Sequence, residues 1–488
     1  MYKIESRRDC KTIPQKGSEI MAGIFMAGER KVRPGTYFRI TTNDKLDVEV
    51  INGVTAVIFR SDFGPLGEVV ELGKDESYAE LFGTSGTTDA IREAFNGGAL
   101  TVFACRLGSG GTCPQTMLQD INGNDCVSLK TKYPGSRTFT VSIREKVTDA
   151  ELKECVIYCG TKEIEKVTFT AGEGEAQALA EAVAATDNFV AEAVKGKEKS
   201  QFMNVSQQEF MAGQDPEITM DSYTDAFTIL EPYVYNTICV DTEDYAVHLM
   251  LQSYINRIFE NGSFVQAVVA ENDKIDIKSR QKHAAAYDDE KMNYVLNPKI
   301  AVKDGMIDGY QTAARIAGMI GAVPSSQSLT HTILDNATQL MEELTPAQIT
   351  KSETMGCIVL SRNTKKQVWI DNAINTMIHA IEDKDNGWKK IRRVKARFEF
   401  LRRVNIMADG LVGKVDNDRN GRATVMSQIN DIGKAMIEEG KLTACTVTES
   451  SGYKADGDSA WFDIDVVDKD SMEHIYLTFL FRYSTNID

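Results

Sequence analysis

The stretch TICVDTEDYAVHLMLQSYINRIFENGSFVQAVVA, residues 237–270, carries the pattern that decides the fold. Thr237–Val240 and Phe264–Ala270 are short apolar runs that predict buried strands. Between them, Asp244–Phe259 has the spacing of an amphipathic helix, which an Asn-Gly pair ends. A strand, a helix and a strand in this order predict a parallel βαβ unit with a right-handed crossover.

The same alternation continues on both sides of this stretch. Upstream, Val48–Phe59 and Ala99–Leu107 predict buried strands, with a helix over Thr88–Phe95 between them. Downstream, further elements are predicted over Gln281–Tyr287, Tyr294–Leu296, Tyr310–Ile320, Cys357–Leu360 and Gln367–Ile370. We therefore expect an α/β fold, in a multi-domain protein whose core is a mostly parallel sheet covered by helices.

Two regions depart from this alternation. Between residues 125 and 200, short alternating runs predict an inserted β-rich domain with one helix, Glu175–Ala185, and the polar segment Ser200–Pro216 predicts a connection back to the sheet. After about residue 375 we expect a separate α+β domain. Its predicted elements are helices over Trp388–Met407 and Val425–Glu438 and strands over Leu442–Glu449, Ala460–Val467 and His474–Tyr483.

The composition is that of a large acidic globular protein. Its 488 residues predict about three domains. Lys and Arg total 55 against 71 Asp and Glu, and the net charge of −16 argues against binding to nucleic acid or to anionic lipid. Apolar runs such as Ala313–Pro324 are too short to span a bilayer, so we expect no membrane insertion.

The cysteines indicate a reducing compartment. There are nine, irregularly spaced, and only Cys155 and Cys159 lie close together in the sequence. A chain of this size does not need disulfide bonds. No second pair or nearby His completes a zinc ligand set, so we expect free thiols.

The chain lacks a complete catalytic or cofactor-binding pattern. Gly108–Gly111 follows a strand, as a phosphate-binding loop would, but lacks the lysine of such loops. Asp416–Gly421 matches the first half of a calcium loop, but Ser427 stands where the bidentate Glu belongs. Gly83–Gly86 is similar to the nucleophile sequence of subtilisin-like proteases, yet none of the five histidines lies in a recognisable motif. We therefore expect no catalytic residue, cofactor or metal; an α/β hydrolase or a nucleotide-binding enzyme is the alternative.

A basic helix is the most unusual charge feature. Residues 386–405 contain eight basic side chains and a single acid, Glu399. Apolar residues at three-four spacing predict that one face packs inward and that the basic side points outward. Lys389, Arg393 and Arg397 share one face at i, i+4 and i+8. This face is either solvated or a docking surface for an acidic partner.

The first 20 residues differ from the rest of the chain. Arg7 and Arg8 are not followed by an apolar run, so no export signal is predicted. Met21 opens a second plausible start, preceded by residues whose codons can form a purine-rich ribosome-binding stretch. We expect residues 1–20 to be a translated leader or a disordered tail.

Five short motifs resemble, in sequence order, those of the contractile tail sheath proteins of phages and R-type bacteriocins. They are Met21-Ala22-Gly23 with KVRPGTY at 31–37, SLKTKYPG at 128–135, the region from Leu329 to Thr376 with ILD, LTPAQI, GCIVL and AINT, Gly421-Arg422, and SMEHIYL at 471–477. The resemblance covers residues 21–488 in order.

The resemblance implies a non-catalytic core of subtilisin-like topology with an inserted β-sandwich-like domain, a C-terminal α+β domain and extended β arms. The corresponding limits are 1–20 for the leader or tail, 21–45 for the N-terminal arm, 46–115 and 216–375 for the core, 116–215 for the insert, 376–473 for the C-terminal domain and 474–488 for the C-terminal strand arm.

The resemblance also implies a structural function. Subunits of such a sheath form six-membered rings that stack helically around an inner tube, and contraction drives the tube through a target cell envelope. The implied partners are other copies of the chain, the inner tail tube protein, and baseplate and tail terminator proteins. Such a particle assembles in the bacterial cytoplasm and becomes a virion tail or a released bacteriocin.

The residues expected at the contacts follow from position. The C-terminal domain of such sheaths lies innermost, so Lys389, Arg393 and Arg397 are expected to face the tube. The β-prone segments at both ends have no obvious local partner, so we expect them to exchange strands with neighbouring subunits. The residues expected in these inter-subunit arms are Val32, Pro34, Tyr37, Ile475, Leu477 and Phe479.

Overall fold

The computed structural model describes residues 22–24, 36–38, 52–381 and 384–481. Their contacts divide them into two compact units. The first contains residues 52–275 and 307–322, and the second contains residues 22–24, 36–38, 276–306, 323–381 and 384–481. These units do not coincide with the domain limits expected from the sequence, which stay a prediction.

The described residues form strands and helices throughout both units. The strands are β1 (Ala22–Ile24), β2 (Thr36–Phe38), β3 (Val54–Phe59), β4 (Val69–Gly73), β5 (Thr101–Arg106), β6 (Gln115–Gln119), β7 (Asp125–Thr131), β8 (Thr140–Lys146), β9 (Asp149–Cys159), β10 (Lys162–Thr170), β11 (Phe189–Ala193), β12 (Val205–Glu209), β13 (Thr237–Cys239), β14 (Gln266–Ala270), β15 (Met292–Val295), β16 (Ile300–Val302), β17 (Gly305–Ile307), β18 (Ala337–Leu340), β19 (Cys357–Ile358), β20 (Leu360–Arg362), β21 (Val368–Ile370), β22 (Leu442–Glu449) and β23 (Phe462–Asp468). The helices are α1 (Tyr78–Phe82), α2 (Asp89–Asn96), α3 (Glu175–Ala184), α4 (Met220–Leu230), α5 (Tyr245–Glu260), α6 (Ile277–Tyr287), α7 (Gly309–Ala322), α8 (Pro346–Thr354), α9 (Ile391–Leu411) and α10 (Arg419–Glu438), with a 3₁₀ helix at Asn386–Lys389. The mixed α/β class predicted from the sequence is confirmed.

The first unit is built on a largely parallel sheet. Strands β14, β13, β3 and β5 lie side by side in parallel, and β4 pairs antiparallel with β5 at the edge. All six residues of β3 are buried, as expected for a strand covered on both faces. Helix α5 begins after Asp244, whose carboxylate accepts the amide N–H of Ala246, so the predicted helix start is confirmed.

Residues 115–209 of the same unit form two antiparallel sheets around a shared core. One sheet has the order β10-β9-β8-β12 and the other β11-β7-β6. Side chains from both sheets and from α3 meet in one apolar cluster that includes Phe139, Leu179 and Phe189. The prediction that Ser200–Pro216 is only a connection is wrong, because Val205–Glu209 forms β12. The side chains of β12 are mostly polar and exposed, so the segment lacks the apolar pattern that predicts a strand.

A buried arginine joins these two sheets to the parallel sheet. Arg106, at the end of β5, is 2 % exposed. Its guanidinium donates to the backbone carbonyls of Ser61, Gly64 and Pro134 at 2.8–2.9 Å. These bonds satisfy a desolvated cation with backbone dipoles, and burial lowers the pKa of Arg106 to about 10.

Helices α2 and α7 of the first unit pack unusually closely. A Cβ built on Gly318 would lie 2.1 Å from the carbonyl oxygen of Ala94, so only glycine fits there. Beside this contact the guanidinium of Arg315 donates to the buried carboxylate of Glu93 at 2.8 Å. The glycine therefore lets the two helix backbones approach while the ion pair fixes their register.

Gly318→Ala is expected to lower the free energy of unfolding by about 1–3 kcal/mol, because the added methyl group would force the helices apart. Gly410→Ala is the control, since a Cβ at this helical position has nothing within 4 Å. That substitution should be neutral or stabilise by up to about 1 kcal/mol. Denaturant unfolding of both variants is the measurement, and equal effects would refute the close-packing argument.

The second unit combines short strand pairs with two long helices. Strands β15 and β19 pair in parallel, β20 pairs antiparallel with β21, and β16 lies between β17 and β18. Helices α9 and α10 pack together, and α10 also contacts the antiparallel hairpin of β22 and β23. The apolar stripe predicted on the basic helix is confirmed, since Trp388, Ile391, Val394 and Phe398 are all buried.

Candidate assembly surfaces

Residues 474–481 form an exposed apolar segment, here called the terminal arm. Six of its side chains are large and apolar, and each is at least two-thirds exposed: Ile475, Tyr476, Leu477, Phe479, Leu480 and Phe481. Among the described residues, the arm makes no hydrogen bond or ion pair with the rest of the chain. Such a contiguous apolar run on a soluble surface marks an interaction site.

The strand predicted over His474–Tyr483 is not formed in the described part of the arm. A strand needs a neighbour to receive its backbone hydrogen bonds, and the part of the chain that the structure describes supplies none to residues 474–481. The rings of Phe479 and Phe481, two residues apart, stack at 6.2 Å, which is compatible with side chains on the same side of an extended segment.

The β22–β23 hairpin offers strand edges. Its two strands pair antiparallel over Leu442–Glu449 and Phe462–Asp468, and in the described residues no third strand joins them. An isolated two-stranded ribbon is marginally stable, and its unpaired backbone groups are a template for another strand.

The N-terminal arm is described only in part. Strands β1 and β2 pair in parallel, with Gly23 opposite Tyr37. The expected arm residue Tyr37 therefore lies in a strand, whereas Val32 and Pro34 lie outside the described residues.

The basic helix holds its arginines against an acidic residue of the hairpin. The guanidinium of Arg393 donates twice to Asp468, at 2.7 and 2.8 Å, and Arg397 donates to the same carboxylate at 3.1 and 3.3 Å. Arg397 also lies over the ring of Trp388, 4.2 Å from its centroid. Arg397 also pairs with the exposed Asp385 at 3.6 Å, so two carboxylates balance the two guanidinium groups of this cluster.

The predicted outward orientation is therefore wrong for Arg397, which is only 7 % exposed. The side chain of Arg393 is 20 % exposed. Lys389 is half-buried, and burial lowers its pKa despite the nearby charge of Glu353. The physical reason is the hairpin, whose Asp468 draws both arginines inward. Whether these three residues face a tube stays a prediction.

A second buried ionic group lies on the inner side of the same helix. Glu399, the single acid of the basic stretch, accepts hydrogen bonds from Arg403 and Lys441, each at 2.6 Å. Burial lowers the pKa of the adjacent Lys395 to about 7, although Glu399 opposes this shift. No local sequence pattern predicts this group, because Lys441 is distant from α9 in the chain.

The carboxyl ends of β3 and β13 mark the place where an open α/β sheet usually binds its ligand, because the strand order reverses between them. A buried carboxylate, Asp241, occupies this point. It accepts hydrogen bonds from Arg60 at 2.6 Å, Thr87 at 2.7 Å and Tyr223 at 2.9 Å. Burial and the charge of Asp241 raise the pKa of Tyr223 well above its usual value. The carboxylate of Asp241 is thus paired with the protein's own side chains.

Residues in the motifs that are similar to catalytic or metal-binding sequences have structural roles here. Gly86 has a φ of +69°, and a Cβ on it would lie 2.4 Å from the carbonyl oxygen of Arg60. Asp418 caps α10 by accepting the amide N–H of Gly421. His248 is buried in α5 and contacts the carbonyl oxygen of Thr242 at 2.9 Å.

Metal-binding side-chain groups and membrane-spanning helices are both absent from the residues that the structure describes. In these parts of the chain, no set of three or more His, Cys, Asp or Glu side chains is grouped so as to hold a metal ion. None of the helices there has both the length and the apolar character that a membrane span requires.

Comparison with known proteins identifies a family likeness. Residues 216–376 match the family model described as the phage tail sheath protein central domain. No curated protein matches the chain in sequence. The resemblance to contractile tail sheath proteins predicted from the sequence motifs is confirmed.

Solved structures extend the likeness over most of the chain. A sheath tail protein from Desulfitobacterium hafniense is 18 % identical with a TM-score of 0.66, covering 88 % of this chain and 100 % of that one. A sheath tail protein from Listeria innocua is 19 % identical with a TM-score of 0.67, covering 87 % and 96 %. The helical sheath of the anti-feeding prophage in its contracted state is 12 % identical with a TM-score of 0.50, covering 93 % and 99 %. At these identities the likeness concerns the fold.

Proposed function

We propose that this protein is the structural subunit of a contractile tail sheath. Its copies polymerise as stacked six-membered rings around an inner tube, and contraction drives the tube through a target cell envelope. The match of residues 216–376 to the sheath central domain supports this assignment, as does the structural likeness to a helical sheath in its contracted state. The subtilisin-like topology of the core is part of the same proposal.

The observation that carries the proposal is the exposed apolar terminal arm. An arm that has no partner strand among the described residues of its own subunit can complete the open β22–β23 hairpin of a neighbour by strand addition. Each backbone hydrogen bond would contribute about 1 kcal/mol net. Burial of Ile475, Leu477 and Phe479 would add roughly 1.5–3 kcal/mol for each side chain. Val32, Pro34 and Tyr37 of the N-terminal arm are proposed to take part in the same exchange.

Such flexible joints suit a sheath that changes shape. Strand pairing depends on the arm and its receiving edge, so the bodies of neighbouring subunits can rotate while the arms stay paired. We place the tube contact in the C-terminal region, with Lys389, Arg393 and Arg397 on the tube-facing side. Baseplate and tail terminator proteins are the further partners proposed.

The proposal includes an energy source. Contraction is a one-way relaxation from a metastable assembled state. Its energy is stored in the contacts between subunits and is released when the baseplate detaches from the sheath. The pairing of Asp241 with the chain's own side chains supports a structural role for this residue. The particle is proposed to assemble in the bacterial cytoplasm and to become part of a virion tail or a released bacteriocin.

Purified extended particles are expected to contract fully in nucleotide-free buffer when a mild denaturant or low pH triggers them. Electron microscopy before and after the trigger counts the contracted fraction. A matched sample with added ATP and Mg²⁺ is the control and should contract to the same extent. Contraction that required the added nucleotide would refute the proposed mechanism.

A further inference from the structure

The terminal arm leaves the subunit at a single clamped residue. The side chain of Glu473 is only 9 % exposed. One of its carboxylate oxygens accepts hydrogen bonds from the hydroxyls of Ser328 at 2.9 Å, Thr330 at 3.0 Å and Ser471 at 3.1 Å. The other oxygen forms an ion pair with Lys390. The next residue, His474, begins the exposed arm.

The groups that hold Glu473 are themselves fixed. Thr330 also accepts the backbone N–H of Ala373 at 3.0 Å, and the N–H of Ile391 donates to the carbonyl of Ala373. Lys390 stands at the start of α9 and pairs with Ile374 in an isolated bridge. Three separate chain segments thus converge on one carboxylate. A charge-assisted cluster of this kind holds a side chain more firmly than neutral hydrogen bonds would.

The arm beyond this clamp has two different faces. In an extended chain, alternate residues point to the same side. Counting from Glu473, one face carries Ile475, Leu477, Phe479 and Phe481, and the other carries His474, Tyr476, Thr478 and Leu480. A shift of one residue would exchange the fully apolar face for the mixed one. The distance from a fixed root therefore decides which face a receiving subunit meets.

We infer that Glu473 is the fixed root of the terminal arm and sets the register in which the arm pairs with a neighbouring subunit. This inference rests on the proposed function, because it takes strand exchange for granted. Glu473 is a positioning residue: it stays in its own subunit while the residues from His474 onward bind the neighbour. Its charge and its four donors hold the arm in register, and the arm's apolar side chains supply the affinity.

The test is a parity experiment in the full-length protein. One alanine inserted between Glu473 and His474 places His474, Tyr476 and Thr478 where apolar side chains belonged. Two alanines return Ile475, Leu477 and Phe479 to apolar positions, and only the first apolar position then holds an alanine. We expect the single insertion to raise the protein concentration needed for polymerisation at least about tenfold above that of the double insertion, about 1.4 kcal/mol. Sedimentation and negative-stain microscopy measure this concentration.

A second pair of variants tests the clamp itself. Glu473→Ala releases the root, so in that background the single and double insertions should become equivalent. Glu343→Ala is the matched control, since it removes an exposed carboxylate that pairs with Arg362 outside the arm and the hairpin, and it should preserve the difference between the insertions. If the insertions differ equally with and without Glu473, the clamp does not set the register and the inference is wrong.

The outcomes separate this inference from the proposed function. If single and double insertions polymerise alike in a protein whose polymerisation needs the arm, the root is not fixed and only the inference fails. If the chain polymerises even with residues 474–488 deleted, the arm is not the joint. In that case the strand exchange of the proposed function fails as well.

Discussion

Deletion of residues 474–488 is expected to leave a folded protein that no longer polymerises. The terminal arm makes no hydrogen bond or ion pair with the rest of the described chain, so its loss should change the free energy of unfolding by less than about 0.5 kcal/mol. The same deletion removes a whole added strand and its apolar side chains from every joint between subunits. Denaturant unfolding and sedimentation, measured on one preparation, separate the two effects.

Substitutions within the arm sharpen this test. Replacing Ile475, Leu477 and Phe479 by Ser removes three apolar side chains from one face and should block polymerisation as the deletion does. Replacing Tyr476 and Leu480 by Ser, on the opposite face, is the control and should weaken polymerisation much less. Tubes formed by the deletion variant at the normal protein concentration would exclude the arm as the joint.

Asp468→Ala is expected to lower the free energy of unfolding by about 3–5 kcal/mol, because it leaves two mostly buried guanidinium groups without their shared anion. Asp468 has a side chain that is 4 % exposed and accepts hydrogen bonds from both Arg393 and Arg397. Asp463→Ala, in the same strand but exposed, is the matched control and should change stability by less than about 0.5 kcal/mol. Similar losses in the two variants would contradict the role given to Asp468.

The same ion pairs predict a dependence on pH. Burial alone would raise the pKa of Asp468, but the hydrogen bonds and charges of the two arginines outweigh burial and lower it. A carboxylate whose pKa is lower in the folded state contributes stability above its unfolded pKa of about 3.9. This contribution is lost as the pH falls through the lower folded value. Asp468→Ala should therefore show a smaller loss of stability than the unsubstituted protein as the pH falls from 5 to 2.

These contacts also change how a tube contact can be tested. Reversing Arg393 and Arg397 to Glu would place two acids beside the buried Asp468 and unfold the C-terminal region. Failure to assemble on a tube would then report misfolding rather than a lost contact. Lys389→Glu is more informative, because Lys389 is half-buried and lies outside the Asp468 cluster.

The elements that the sequence predicted well are those with a local pattern. Helix α5 has an apolar face repeated over four turns and a capping residue, Asp244, so its position follows from neighbouring residues alone. Strand β5 is a largely buried run, and its helix partner α2 ends at the Gly-Gly pair that predicted its end. No distant residue is needed to specify such elements.

The features that the sequence did not predict depend on residues far apart in the chain. Arg397 and Asp468 are 71 residues apart, and Arg60 and Asp241 are 181 apart, so nothing in the local pattern pairs them. The spacing within the basic helix alone therefore predicts an outward-facing basic side. The terminal arm shows the opposite case. Its local sequence has the pattern of a strand, but a partner strand has to come from outside the described chain.

Electron microscopy of the purified full-length protein at rising concentration tests the central claim most directly. The account predicts tubes built of stacked rings with six subunits each, formed without nucleotide, and their absence when residues 474–488 are deleted. Full-length protein that remains a discrete monomer at every concentration, alone and with the inner tube protein, would contradict it.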